Sequence, residues 1–313
     1  MEPIGAGGIA FLFPGQGSQY VGMGKNLAEK YPQARQTFAQ ADQLLNFELS
    51  QLCFQGPEAE LTKTINAQPA ILTTSVAALR VIFSETEVRP VLVAGHSLGE
   101  YSALVAAEAL DFSDALRLVR ERGRLMQKAC PDGRGKMVAI LGLDGSRVSA
   151  LCQEVARLGV AEVANLNGPG QIVVSGEAAP LKELAERACR QGARKAIFLS
   201  VSGPFHSSLM QPAAQGMAAA LAKVDFSPPR IPVIANLDGE LSYSPETAKQ
   251  LLVEQICKPV RWEQSMDKLS RLGVTKAVEV GPGKTLSALL KRINREMDLT
   301  NVEDEAGICH LLD

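Results

Sequence analysis

Between Val91 and Ala107 the chain reads VLVAGHSLGEYSALVAA, and this stretch limits the fold more than any other. Val91 to Ala94 has the length and apolar character of a buried strand. Gly95-His96-Ser97-Leu98-Gly99 stops it, and small helix-forming residues follow without a break. That is G-x-S-x-G between a strand and a helix, the setting in which the motif has mechanical meaning. Where a strand end and a helix start crowd together, Gly95 and Gly99 let the backbone pass with no Cβ in the way. Ser97 is left at the apex, its hydroxyl beside the first unbonded N–H groups of the helix. Such a serine is a plain helix cap or a nucleophile whose oxyanion meets the Leu98 N–H. The flanking strand and the paired glycines favour the nucleophile.

Around this elbow the pattern is α/β. Ile9 to Phe13 reads as a first buried strand, Gly24 to Asn46 as helix-prone, and Leu61 to Phe83 as a helix entered through Ala67-Gln68-Pro69. Ser113 is placed to cap a helix from Asp114 to about Ala129. Beyond the linker Pro131-Asp132-Gly133-Arg134-Gly135 the pattern changes. Met137–Leu141 reads as strand, Ser146–Leu158 as helix, Ala161–Leu166 and Ile172–Ser175 as strands, Ala179–Gln191 as helix and Lys195–Val201 as strand. That β-α-β-β-α-β order is the ferredoxin-like unit. The expected architecture is a hydrolase-like large domain with a parallel sheet, residues 1–131 and 204–313, with a ferredoxin-like small domain inserted at 132–203. The large domain would take strands near Ile9, Val91, Ile231 and Ala277. Leu251 to Trp262 reads as a helix broken near Lys258-Pro259, and the acidic tail around His310 as frayed.

Charge and composition exclude several classes. The 313 residues carry 32 basic and 34 acidic side chains, a net charge of −2, so no nucleic-acid footprint is present. MEPIGAGG lacks the basic segment of a secretory signal, and no apolar run is expected to cross a bilayer. The six cysteines are scattered, with no C-x-x-C and no neighbouring histidine pair, which reads as the reduced thiols of a cytoplasmic protein holding no metal. Val280-Gly281-Pro282-Gly283-Lys284-Thr285 imitates a phosphate loop, but that motif's spacing puts Val278 where its first glycine belongs. Nucleotide hydrolysis is rejected.

Three further places carry candidate chemistry. Pro14-Gly15-Gln16-Gly17-Ser18-Gln19 is either a plain Gly-rich turn or a loop shaped around a ligand, in which Gln16 offers a side-chain or backbone N–H to an oxyanion. Ala115, Val119, Arg122 and Met126 share one helix face, which sets an arginine inside an apolar stripe. A buried guanidinium without a partner costs several kcal/mol, so Arg122 meets either a protein carboxylate or a ligand anion. Of the three histidines, His96 points away from the Ser97 hydroxyl and His310 lies in the tail. His206, in Ser202-Gly203-Pro204-Phe205-His206-Ser207 at a domain junction, remains as general base. No acid is evident to orient its imidazole; such a base can instead be held by a backbone or side-chain amide oxygen on its Nδ1–H.

Taken together, PGQGSQ, GHSLGEYSALVAA, Arg122-Gly123, NLNGPGQIVVSG, GPFHSSLM, a Gln ahead of K-P-V-x-W, and EVGPGKTLSALLKR occur here in that order. The chain, from about Ile9 to Ile293, strongly resembles the malonyl-CoA:acyl carrier protein transacylase family and the related acyltransferase domains of polyketide and animal-type fatty acid synthases. The resemblance implies a malonyl transfer from malonyl-CoA to the phosphopantetheine thiol of acyl carrier protein, through a malonyl-serine, supplying fatty acid synthesis. It makes Ser97 the nucleophile, His206 the base, and Gln16 with the Leu98 N–H the oxyanion hole. Arg122 would pair with the malonyl carboxylate, and the Gln255 carbonyl would orient the histidine. Phe205 stands as a wall against a 2-methyl branch. An acetyl group would leave Arg122 unpaired, so malonyl is preferred by about two orders of magnitude or more. No bound cofactor is implied; the coenzyme A thioester is substrate, and the protein is expected to be monomeric.

Rival readings make different demands. A serine thioesterase needs an acidic third residue and has no use for a buried arginine. A polyketide acyltransferase acting in trans shares the chemistry and differs in its genomic neighbours. A non-catalytic docking subunit has no need of Ser97, His206, Arg122 and Gln16 together. Arg187, Arg190, Arg194 and Lys195, or Arg117, Arg120 and Arg124, are candidate contacts for an acidic carrier protein.

Overall fold

The computed structural model describes residues 7–130, 134–201, 203–242 and 244–312. Of the expected domain junctions, Pro131, Asp132 and Gly133 at the first and Ser202 beside the second lie outside the described residues. Ten strands run among the described residues: β1 (Ile9–Phe13), β2 (Leu92–Gly95), β3 (Gly135–Leu141), β4 (Ala161–Gly168), β5 (Gln171–Glu177), β6 (Lys195–Phe198), β7 (Val233–Ile234), β8 (Leu241–Ser242), β9 (Lys276–Val280) and β10 (Asp298–Val302). Six form one sheet in the order β10-β9-β1-β2-β7-β8 and four form another in the order β4-β5-β3-β6. The larger sheet is parallel throughout except where β8 turns back along β7.

Strand β1 explains the centre of the larger sheet. Ala10 and Leu12 face Leu92, Ala94 and Trp262, whereas Phe11 and Phe13 face the opposite core with Val93 and the Thr64–Glu85 helix. A strand buried on both sides has to be apolar without alternation, and IAFLF is. Phe13 pairs with Gly95, so β1 and β2 end level. The loops that leave them open at one carboxyl edge, where open α/β sheets bind ligands. By length and composition the Thr64–Glu85 helix is apolar enough to cross a bilayer, against the expectation from sequence. It is a core helix: 83% of that window is buried within the fold.

The second sheet is antiparallel at every pairing. Its strands alternate with the Gly145–Val155 and Ala178–Arg190 helices as β-α-β-β-α-β. Val138 and Ile140 of β3 pack under those helices, while Met137 and Ala139 face the larger core. The period-2 alternation of one strand thus joins the two cores.

Several local expectations shift. Tyr31-Pro32 divides the first helical stretch into Lys25–Lys30 and Pro32–Leu45, because proline starts a helix and breaks the one before it. The helix bearing Arg122 runs Phe112–Ala129 and is capped by Asp111, whose carboxylate accepts the Ser113 N–H at 2.7 Å; Ser113 is not the cap. Trp262 opens the Trp262–Arg271 helix, and the preceding helix ends at Gln255. The segment around His310 is the Glu305–Leu312 helix following β10, where fraying was expected; Ile308 and Gly307 anchor it in the core.

Candidate active site

Ser97 stands at the turn between β2 and the Gly99–Ala106 helix with φ 52°, the left-handed region that side chains disfavour. Its backbone is tied at both ends: the Ser97 N–H donates to Asn236 Oδ1 at 2.6 Å, and its carbonyl accepts from Gln255 Nε2 at 3.1 Å. Such restraint holds a conformation that costs on the order of 1–3 kcal/mol. The flanking glycines serve close approach. A Cβ on Gly99 would lie 2.0 Å from the Phe13 carbonyl oxygen, and one on Gly95 would lie 2.0 Å from the Gly99 carbonyl.

His206 also has a left-handed backbone, φ 59°, and is 4% exposed. Its Nε2 lies 2.8 Å from Ser97 Oγ and its Nδ1 lies 2.7 Å from the Gln255 carbonyl oxygen. A carbonyl only accepts, so Nδ1 carries the proton and Nε2 presents its lone pair to the serine hydroxyl. Burial, and after it the charge of Arg122, holds the imidazole pKa down to about 3. The ring is neutral, the form a base requires. His96 turns aside: its Nε2 meets Asn167 Oδ1 at 2.8 Å, and the ring packs on Trp262.

Arg122 is 1% exposed, and among the described residues no carboxylate lies within ion-pair distance of it. Its partners are neutral: Nη1 donates to Gln68 Oε1 at 3.0 Å, Nη2 donates to Gln255 Oε1 at 2.8 Å and to Ser97 Oγ at 3.2 Å. Nε is buried with no hydrogen-bond partner. Of the two alternatives open from sequence, the intramolecular salt bridge is the one not found. Gly123 permits this placement, since a Cβ there would fall 2.7 Å from the Thr64 carbonyl oxygen, where the two core helices cross beside Gln68.

Gln16, Ser97, Leu98, Arg122, Phe205 and His206 line one cavity of about 90 Å³. Gln16 Nε2 donates to Thr64 Oγ1 at 3.2 Å. The backbone amides differ from their neighbours. Gly17 N–H is taken by Gln19, Ser18 N–H by Gly15, Ser97 N–H by Asn236 and Gly99 N–H by His96. The N–H groups of Gln16 and Leu98 donate to no acceptor among the described residues. Two unengaged donors at the rim of a nucleophile's cavity are what an oxyanion requires.

Sequence reasoning missed a buried polar layer beneath the dyad. Gln255 uses its side chain as well as its carbonyl, and its Nε2 donates to Glu100 Oε2 at 2.8 Å. Glu100, 4% exposed, accepts a second bond at 3.0 Å from the Asn236 N–H, and Asn236 Nδ2 donates to the Gly95 carbonyl at 2.6 Å. Burial pushes the Glu100 carboxyl up to about 7. A glutamate in the first turn of a helix reads from sequence as a surface residue favouring the helix dipole, which hides it. Asn236 lies 139 residues from Ser97 and carries no local signal. Of the proposed surface arginines, Arg117 and Arg124 pair with Asp114 and Glu121, and Arg187 with Glu154 and Glu183.

The acyl transferase domain family model matches residues 10–310. The malonyl CoA-acyl carrier protein transacylase of Bacillus subtilis is 49% identical over 301 residues, covering 96% of this chain and 95% of its own. That of Escherichia coli K12 is 46% identical over 289 residues, covering 91% and 92%. Among solved structures, acyl-carrier-protein-S-malonyltransferase from Bartonella henselae superposes with a TM-score of 0.94 at 44% identity, covering 97% of this chain and 98% of its own. A malonyl-transacylase in complex with its type II polyketide acyl-carrier protein superposes at 0.95 and 43% identity, covering 97% and 99%. The chain belongs to the acyl transferase domain family, among the malonyl CoA-acyl carrier protein transacylases.

Proposed function

We propose that this protein transfers the malonyl group of malonyl-CoA to the phosphopantetheine thiol of acyl carrier protein, supplying fatty acid synthesis. One observation carries the choice of acyl group: a buried guanidinium without a carboxylate partner, 3.2 Å from the candidate nucleophile. A 3-carboxyacyl chain brings the missing anion to it.

In this mechanism His206 Nε2 takes the Ser97 proton and Ser97 Oγ attacks the thioester carbonyl. The backbone N–H groups of Gln16 and Leu98 receive the oxyanion, coenzyme A leaves with the proton from His206, and malonyl-Ser97 remains. The carrier thiol, deprotonated by His206, then attacks the ester and regenerates the serine. Arg122 also times the proton transfer. While its charge is unanswered it opposes an imidazolium at His206. A malonyl carboxylate cancels that opposition, so the base strengthens when the right acyl group is seated. Phe205, 6% exposed, closes the cavity beside His206, which supports a role against branched acyl groups. Residues 132–203 are read as the inserted domain and the cytoplasm as the location; the described cysteines are all free thiols.

Intact-protein mass spectrometry after brief incubation tests this. Malonyl-CoA should add one malonyl group to the wild type and none to Ser97→Ala, and acetyl-CoA should load far less. Equal loading by both would refute the Arg122 argument. Free coenzyme A with no adduct would identify a hydrolase.

A further inference from the structure

The cation at Arg122 needs a counter-charge before substrate binds, and the three groups that accept its hydrogen bonds are neutral, as is the Tyr101 ring beneath it. Gln255 supplies the connection. Its amide orientation is fixed chemically, since a guanidinium only donates and so faces Oε1, whereas the Ser97 carbonyl only accepts and so faces Nε2. That same Nε2 lies 2.8 Å from Glu100 Oε2. The amide dipole therefore has a cation at its oxygen end and a carboxyl at its nitrogen end, an orientation that both charges favour. Arg122, Gln255 and Glu100 are all buried, at 1%, 0% and 4% exposure.

We propose that Glu100 is a positioning residue for acyl selection: its carboxylate balances Arg122 through the Gln255 amide in the empty site, and it takes up one proton from solvent when an acyl carboxylate occupies Arg122. The inference rests on the malonyl-transfer reading given above. Without the proton, an occupied site would hold one buried cation and two buried anions. The groups facing Glu100 support this. Burial raises its pKa, the bonds it accepts from Gln255 and Asn236 and, after them, the charge of Arg122 lower it, and Asp238, in the loop after β7, adds a small rise, leaving it near 7. Tyr101, its neighbour on the same helix, stays neutral, pushed upward by burial. When Arg122 is answered by substrate, its pull on Glu100 weakens and the protonated form gains.

The consequence is a pH-dependent selectivity. Only the protonated Glu100 form admits malonyl without penalty, so malonyl loading should fall as pH rises past about 7, approaching tenfold per unit as a one-proton linkage. Acetyl, with no carboxylate, should show no such fall. The experiment is kcat/KM for loading of malonyl-CoA and acetyl-CoA from about pH 6.5 to 9, in wild type and Glu100→Gln. In the wild type the malonyl-to-acetyl ratio should drop about fivefold or more between pH 7.5 and 8.5. In Glu100→Gln the ratio should change by less than about twofold over that range, whatever the variant's absolute rates. A ratio in the wild type that is flat with pH overturns the proposal without recourse to any variant. So does a slope that persists in Glu100→Gln. Absence of malonyl loading at every pH would overturn the underlying reading as well, whereas loading with a flat ratio sinks this inference alone.

Discussion

Replacing Arg122 by alanine separates recognition from scaffolding. Nε has no partner, and Nη2, which donates to Gln255 Oε1, can exchange its longer bond to Ser97 Oγ for one to an acyl carboxylate. Two charge-assisted bonds at about 1.5–3 kcal/mol each amount to about 3–6 kcal/mol. At about 1.4 kcal/mol per tenfold, malonyl kcat/KM should fall by about 10²–10⁴. Acetyl makes neither bond, so its loading should change by less than about tenfold, and the selectivity for malonyl should vanish. His206 should also become more basic, because the charge that holds it down is gone. The assay is rapid-quench loading of both thioesters, read as acyl-enzyme by mass. The substitution strands Gln68 and Gln255 oxygens, so some loss of Tm is expected, and acetyl loading reports whether the dyad survives. Equal loss for both acyl groups would refute the reasoning and reduce Arg122 to a structural prop.

Three other outcomes follow from the same geometry. Gln16→Ala should slow loading by less than about tenfold, far short of the 10²–10³ lost with an oxyanion donor, because the free donor is the backbone N–H. Asn236→Ala should lower kcat by about tenfold or more with KM little changed, since the left-handed Ser97 backbone loses its anchor; steady-state kinetics of the folded variant checks it. In thermal scans, His206 and Glu100 should oppose each other. His206, near 3 when folded against about 6.5 unfolded, costs stability as pH falls through that window. Glu100, near 7 against about 4.3, costs stability as pH rises through its own. Between about pH 4.5 and 6.5 the two nearly cancel, and His206→Gln should leave a Tm that falls with rising pH.

The elbow was legible because its constraint is local: strand, glycines and helix lie within seventeen consecutive residues. The βαββαβ order of the second sheet was legible for the same reason, each element carrying its own periodicity. The two short or polar edge strands were not. β8 has two residues, and β10, Asp-Leu-Thr-Asn-Val, lacks the unbroken apolar run that marks β1. The stripe placed Arg122 indoors, yet spacing on one helix says nothing of what faces it from others. That partner set, Gln68, Ser97 and Gln255, comes from three separate segments. Glu100 and Asn236 were missed on the same ground, since burial of a polar side chain is decided by the elements that close over it.

The absent third acid of the dyad and the free arginine are one arrangement. A carboxylate orienting His206 from the position of Gln255 would sit beside the Arg122 guanidinium, for Gln255 Oε1 already lies 2.8 Å from Nη2. It would quench the cation that the acyl carboxylate is to meet. A neutral backbone carbonyl fixes the same tautomer, with Nδ1 at 2.7 Å, and leaves the positive charge available. Gln255→Glu tests this. The backbone carbonyl, and with it His206, should stay in place, while the new carboxylate pairs with Arg122 and presses Glu100 to protonate. Malonyl loading should fall by about 10² or more, on the scale of one or two charge-assisted bonds lost to competition. Acetyl loading should fall much less. An unchanged malonyl-to-acetyl ratio would show that the two features are independent, and that the missing acid has another cause.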